Sequence, residues 1–330
     1  MYKIFLSSRD KNINAIDFYI SIIEESIARS GCESRRIHRV MDIAKEDIVI
    51  TLDAHSFFTV WKNNKKQKIA NWFQGVAPEE IYFRNHNIKG ALKMHLWNIF
   101  EEITLKHSYL NFFVSEEMLR HYKKKYRYDK SNYVIMPCFN QSIHTECFVQ
   151  EKYRHSSFIY TGSLLKWQCF DETLDLFIMI KKKIPQATLT IITGDVNKAR
   201  NVIKERGVEN VEVKSIPYTK LSEELSNYKY GFLIRQDILL NNVATPTKMS
   251  SYLACGVIPV FSTVIKAFEE NISNLKYVVR DNGDWENVVD QIEIIEKESV
   301  MSDDVMKEFS AVFDSFYNRE RYIEKIKSQL

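Results

Sequence analysis

The sequence predicts an α/β protein of two doubly wound, Rossmann-like domains facing a cleft, on three observations. Strand-like apolar runs alternate with helical segments along the chain, the pattern of parallel sheets with crossover helices. The alternation lapses over residues 140–157, which carry no clear periodicity and so read as a link between two halves. The length, 330 residues, is about that of two domains.

The elements follow in order. Lys3–Ser7 reads as a short strand. Ile13–Arg29 reads as a helix with Ile16, Ile20, Ile23 and Ile27 at helical spacing and a stop at Gly31. Asp47–Leu52 is a β-branched run of the kind buried on both faces of a parallel sheet, and Ile69–Phe73 is another, ended by Gln74 and Gly75. Leu92–His107 is a long helix and Phe112–Val114 a strand. Ser115 then caps a helix over Glu116–Lys125, whose first turn carries acids. Tyr133–Met136 closes the first half before Pro137.

In the second half the strands are Phe158–Thr161, Thr188–Ile192, Val211–Lys214, Gly231–Ile234, Ile258–Phe261 and Tyr277–Val279. Helices fall at Asp171–Lys183, Val196–Arg206, Leu221–Tyr228 and Thr247–Cys255, with a mixed-charge helical tail from Asp284. The expected division is a first domain over 1–150, a second over 151–315, and a last helix, 316–330, crossing back to the first.

Composition limits the function classes. A hydrophobic share of 45% supplies two cores, and 6 prolines and 9 glycines are too few for a disordered linker. Five cysteines in no CxxC spacing argue against a disulfide framework or a zinc site and point to a reducing cytoplasm. The longest uncharged apolar run, Tyr252 to Ile265, is broken by Gly256 and Pro259 and falls short of the roughly 20 residues that cross a bilayer. The stretch from Met1 meets charge at Lys3 and Arg9, too soon for a signal peptide.

The net charge of +3 is uneven: residues 1–150 hold 22 Lys and Arg against 17 Asp and Glu. The excess gathers at Lys62, Lys65, Lys66 and Lys68, and at Arg120, Lys123, Lys124, Lys125 and Arg127. Such runs are either plain solvated faces or a surface for anionic lipid, worth about 1 kcal/mol per basic residue. The small net charge and the lack of a recognised motif argue against nucleic acid.

The most informative segment runs from Asn241 to Val260. Thr245 is placed to cap a helix and Pro246 suits its first position. The free amides of the next residues, with Lys248 in the same turn, suit a phosphate or pyrophosphate. Upstream, the strand over Tyr230–Ile234 ends in Arg235, a second cation at that edge. Gly162 and Ser163 with Lys166 and Gln168, Gly194 with Asp195, and Pro217 with Tyr218 also follow strands, where α/β sheets bind ligands. In the first half Asp53 and His55 follow a buried strand, either to assist an acceptor hydroxyl or as cap and loop residues.

These residues resemble family 4 glycosyltransferases of the GT-B fold, particularly enzymes of bacterial capsule and surface polysaccharide synthesis. The matching pieces are Tyr160-Thr161-Gly162-Ser163-Leu164, Leu189 to Gly194, Pro217-Tyr218, Arg235, and Pro246-Thr247-Lys248 followed by Tyr252 to Gly256. In the first half, Asn71-Trp72-Phe73-Gln74-Gly75, Pro78-Glu79-Glu80 and Phe113-Val114-Ser115-Glu116 match as well.

The resemblance implies transfer of a sugar, of the hexosyl type, from a nucleotide-sugar donor to a hydroxyl of a lipid-linked surface glycan. It implies no metal or other cofactor, and a cytoplasmic place at the inner face of the membrane. Arg235 and Lys248 would act on the leaving diphosphate. Gly162, Ser163, Lys166, Gln168, Gly194, Tyr218, Asn242, Thr247 and Ser251 would hold the donor, and Asp53, His55, Gln74 and Gly75 would face the acceptor. The chain also departs from the family. Ser163 and Gln168 stand where an arginine and a lysine are usual, and Val243 and Ser251 where two glutamates are. Two other readings stay open: a sugar-nucleotide epimerase of the same fold, and a subunit that binds a sugar nucleotide in a glycan assembly complex without turnover.

Overall fold

The β-branched runs of the first half assemble into a parallel sheet. Its strands are β1 (Tyr2–Phe5), β2 (Ser34–Ile37), β3 (Ile48–Thr51), β4 (Lys68–Phe73), β5 (Leu110–Phe113) and β6 (Tyr133–Ile135). They lie in the order β2-β1-β3-β4-β5-β6, every neighbouring pair parallel. Parallel neighbours need crossovers, and these are α1 (Asn14–Arg29), α2 (Ala54–Asn63), α3 (Ala77–Arg84), α4 (Ile88–His107) and α5 (Glu116–Tyr126). The computed structural model describes residues 1–7 and 14–330. Ile13, expected to open the first helix, lies outside them. β4 and β5 are buried almost throughout, and Trp72 stacks on Tyr19 of α1 with ring centroids 3.8 Å apart.

The second half repeats the plan with β7 (Ser157–Thr161), β8 (Thr188–Ile192), β9 (Val211–Lys214), β10 (Tyr230–Leu233), β11 (Ile258–Ser262) and β12 (Val279–Asp281). The order is β12-β11-β10-β7-β8-β9, again parallel throughout. From β7 the chain moves outward to β8 and β9, and from β10 it moves the other way, so the topological switch lies between β7 and β10. The helices are α6 (Phe170–Lys183), α7 (Val196–Arg206), α8 (Leu221–Leu225), α9 (Leu239–Asn242), α10 (Thr247–Ala254), α11 (Lys266–Ile272), α12 (Trp285–Lys297) and α13 (Ser302–Ser315). Tyr252 of α10 lies flat against β10, where a Cβ on Gly231 would come within 2.7 Å of its ring.

The chain divides into two units. One comprises residues 1–140, 242–245 and 318–330, the other 141–241 and 246–317. The last helix, α14 (Arg319–Lys327), belongs to the first unit and packs on α1, where Arg319 pairs with Glu25 and Arg29 with Glu320.

One local expectation is corrected. Thr245 does not cap α10: the helix opens at Thr247 with Pro246 in the cap position and no side-chain cap bond. The Thr245 hydroxyl instead accepts the backbone N–H of Cys138 at 2.9 Å. A proline in the cap position still sacrifices no amide, since the first amides of a helix have no partner within it.

Candidate anion site and acceptor pocket

In the second unit the switch point between β7 and β10 gathers the chain's most distinctive charges. β7 runs out at Thr161 into Gly162, whose φ of +132° few side-chain-bearing residues adopt. The chain then forms a short turn over Lys166–Gln168 and enters α6 through Cys169, itself left-handed at φ 53°. β10 delivers Arg235 two residues past its end, and α10 carries Lys248 in its first turn.

Gln168 ties the two cations together. Its Oε1 accepts from Lys248 Nζ at 2.7 Å and from an Arg235 terminal nitrogen at 2.6 Å. The other terminal nitrogen of Arg235 donates to the main-chain carbonyls of Gln168 (3.1 Å) and Ile234 (2.7 Å). The Arg235 main chain is fixed as well: its N–H donates to Ser262 Oγ, which donates to the buried carboxylate of Asp281 at 2.6 Å. Lys248 also lies 4.6 Å from the centroid of the Tyr160 ring.

Two cations therefore share one neutral amide oxygen, and among the described residues neither forms an ion pair with a carboxylate. Arg235 is only 5% exposed. Burial presses its pKa down, although a guanidinium keeps its proton. Burial and the neighbouring Arg235 hold the Lys248 ammonium well below the ordinary lysine range. Unbalanced positive charge of this kind is relieved by an anion. A cavity of about 350 Å³ reaches the Arg235 side of the cluster, where Arg235 lines it with Glu172, Asp237, Asp281 and Trp285 and without Lys248 or Gln168.

The structure thus brings Gly162, Gln168, Arg235 and Lys248 together, with Thr247 opening the same helix turn. Other expected donor residues are placed differently. Ser163 accepts the Tyr160 hydroxyl through its carbonyl. Lys166, Gly194 and Tyr218 are exposed after β7, β8 and β9, and Asn242 ends α9 within the first unit. Ser251 is buried, donates to the Thr247 carbonyl at 3.1 Å and faces Gln141 at 3.4 Å.

In the first unit a cavity of about 240 Å³ opens at the ends of β3 and β4, and Asp53, Gln74, Gly75, Glu80, Trp97 and Glu101 are among its lining. Asp53 caps α2, its two oxygens accepting the N–H and the hydroxyl of Ser56 at 2.7 and 3.0 Å. Gln74 donates to the Leu52 carbonyl, and His55 packs against the rings of Trp97 and Phe100, which also touch each other. The sequence reading missed Glu101, for which no motif exists. This carboxylate is 1% exposed, accepts from the hydroxyls of Tyr122 (2.9 Å) and Tyr126 (2.7 Å), and lies 3.4 Å from Lys125. Burial pushes its pKa up to about 7, against the pull of Lys125. Glu79 lies closer to Lys125, at 2.6 Å; burial works against its charge, but the His121 ring and Lys125 outweigh that and hold it below the usual carboxylate range.

Of the basic runs, Lys125 is thereby committed to two carboxylates, and Lys68 lies 3.6 Å from the Tyr109 ring centroid. No group of three or more His, Cys, Asp or Glu among the described residues is arranged to hold a metal ion, and no helix of theirs is long and apolar enough to cross a membrane.

Two units, each a six-stranded parallel sheet flanked by helices, define the Rossmann-like GT-B architecture. Solved structures of that kind are similar to this chain. HepE from Anabaena, in complex with UDP and glucose, matches with a TM-score of 0.71 at 8% identity over 99% of this chain and 98% of its own. Sucrose-phosphate synthase from Thermosynechococcus elongatus matches at 0.69 and 12% identity, over 99% and 97%. TarM of S. aureus, in complex with UDP among other ligands, matches at 0.64 and 13% identity over 87% of this chain, which spans only 55% of TarM. At these identities the likeness is one of fold. No protein-family model and no curated protein matches the chain.

Proposed function

We propose that the protein is a glycosyltransferase that takes a sugar from a nucleoside-diphosphate donor and passes it to a glycan hydroxyl. The observation that carries this reading is the pair Arg235 and Lys248, joined through Gln168 and without a carboxylate counter-ion among the described residues. A departing nucleoside diphosphate gathers negative charge in the transition state, and preplaced cations stabilise it there. Here the protein's own cations supply that charge, so the reading needs no metal. Arg235 suits the paired oxygens of a phosphate through its planar fork, and Lys248 acts as a mobile point charge. The first-unit pocket, with carboxylates beside Trp97, suits a sugar acceptor. A hexosyl donor, a lipid-linked surface glycan as acceptor, and work at the inner face of a membrane complete the proposal.

Binding without turnover is the second reading. Ser251, at one of the two positions where the resemblance implies a glutamate, is buried and bonded within its own helix. A thermal-shift panel of nucleoside diphosphates, with UDP first, tests the site. A ligand at 100 times its Kd stabilises by about 2.7 kcal/mol. Stabilisation of the native protein and its loss in Arg235→Ala and Lys248→Ala is the expected result; no response to any nucleoside diphosphate overturns the reading. Turnover of a radiolabelled nucleotide sugar then separates enzyme from binding subunit.

A further inference from the structure

Helix α4 is apolar on two faces, and only one of them is covered. Inward it presents Gly90, Phe100 and Leu105 together with the buried Glu101 and Thr104, and Trp97 toward the cavity. Outward it presents Ile88 (81% exposed), Leu92 (67%), Leu96 (48%) and Ile99 (40%). Their spacing of four, four and three residues places them on one stripe, about 17 Å long at 1.5 Å per residue. A contiguous exposed apolar stripe of this kind ordinarily marks an interaction surface. Here the outer stripe faces outward from the first unit, and it holds the largest run of exposed aliphatic side chains in the described chain.

The charge around the stripe selects the occupant. Lys89 and Lys93 lie one residue beyond Ile88 and Leu92, are exposed, and form no ion pair among the described residues. No acidic residue occurs between Ile88 and Phe100, and the first exposed acid on the helix is Glu102. Protein interfaces are depleted in lysine, and their binding energy rests on aromatic and arginine anchors; this stripe holds four aliphatic side chains and His95, and the two lysines flank it about a quarter-turn away. Such a set suits the boundary of an anionic bilayer, where aliphatic tips enter the acyl region and lysine stems rise to the headgroups.

We infer that the outer face of α4, through Ile88, Leu92, Leu96 and Ile99 with Lys89 and Lys93, lies in the surface of an anionic membrane. The helix lies along the bilayer and does not cross it. Its inner face carries Trp97 and Glu101 of the pocket, so the same helix would hold the acceptor pocket next to the lipid. That last step rests on the proposed function; docking itself does not.

The test is flotation of the full-length protein with vesicles of phosphatidylcholine alone and of phosphatidylcholine mixed with phosphatidylglycerol, at low and high salt. The native protein should float with the anionic vesicles and lose part of that binding as salt screens the lysines. Leu92→Ser with Leu96→Ser should lower the partition coefficient by at least about tenfold at either salt, because two leucine side chains no longer leave water. Lys89→Gln with Lys93→Gln should lower it about fivefold per lysine at low salt and little at high salt. Circular dichroism and thermal unfolding of these surface variants should match the native protein. A leucine variant that floats as well as the native protein overturns the inference. So does a native dimer that the leucine changes dissociate without affecting flotation, since the stripe would then be a protein contact. Flotation needs no donor, so its failure leaves nucleotide binding at Arg235 and Lys248 standing.

Discussion

The ammonium of Lys248 occupies the space of the side chain that Gly162 lacks. A Cβ at position 162 would lie 2.7 Å from Lys248 Nζ and 2.8 Å from its Cε. The glycine therefore does two things at once: it takes a φ of +132° and lets the cation rest on the loop that leaves β7. Gly162→Ala should move the flexible end of Lys248 away from Gln168 and strain the loop by about 1–3 kcal/mol. Nucleoside-diphosphate affinity should fall about tenfold or more, measured by calorimetry, with the fold retained by circular dichroism. Unchanged affinity would mean that the diphosphate does not need Lys248 where it now lies.

The cations themselves should act on rate. Arg235→Ala and Lys248→Ala should each reduce kcat by about two orders of magnitude, as removal of a transition-state donor does, besides weakening the donor. Near-normal kcat in both variants would place the diphosphate elsewhere. Lys248 adds a pH signature. Its ammonium is held well below its ordinary pKa in the free protein, and an anion arriving beside it must raise that value. Binding therefore takes up a proton at pH values between the free and the bound pKa, and affinity declines as pH rises through that window. Calorimetry in buffers of different ionisation enthalpy should detect the uptake, and Lys248→Arg should abolish it.

The fold was legible because parallel strands buried on both faces leave continuous runs such as Ile48-Val49-Ile50-Thr51 and Val257 to Phe261. What escaped had no such signal. β2, Ser34-Arg35-Arg36-Ile37, is an edge strand whose two arginines keep it from reading as apolar. α2 and α3 are short and rich in aromatic residues beside polar runs, too short for helical spacing to mark them out in the sequence. Arg235 and Lys248 could be singled out by position after a strand and within a helix turn. That Gln168 would bridge them required knowing that the first loop returns to the switch point. Glu101 was invisible for a different reason: a glutamate in Phe100-Glu101-Glu102-Ile103 reads as a surface acid, and only packing shows which of the two is buried.

Glu101 should leave a mark on stability. Its folded pKa, about 7, lies above the ordinary 4.5 of an exposed glutamate. A carboxyl raised in the folded state contributes stability that is full below the unfolded value and lost as pH rises through the folded one. The loss, on the order of 3 kcal/mol for such a shift, should fall between about pH 4.5 and 7. Glu101→Gln mimics the protonated form and should flatten that part of the profile in urea unfolding at a series of pH values. An identical slope in the variant would assign the loss to another group.

Asp53 tests whether a carboxylate at a strand end serves the helix or the reaction. Both of its oxygens are engaged by Ser56, one by the backbone N–H and one by the hydroxyl. This is the work of an N-cap, and Asp53→Ala should cost about 1 kcal/mol in unfolding free energy. Asparagine caps nearly as well, so Asp53→Asn should stay within a few tenths of a kcal/mol of the native protein. The two variants separate the roles, because asparagine keeps the cap while removing any capacity to take a proton. With both oxygens committed to Ser56, Asp53 should orient the acceptor pocket rather than accept its proton, and Asp53→Asn should transfer sugar at a near-normal kcat. A drop of about 100-fold or more in a fully folded Asp53→Asn protein, the scale of a lost general base, would make Asp53 the base.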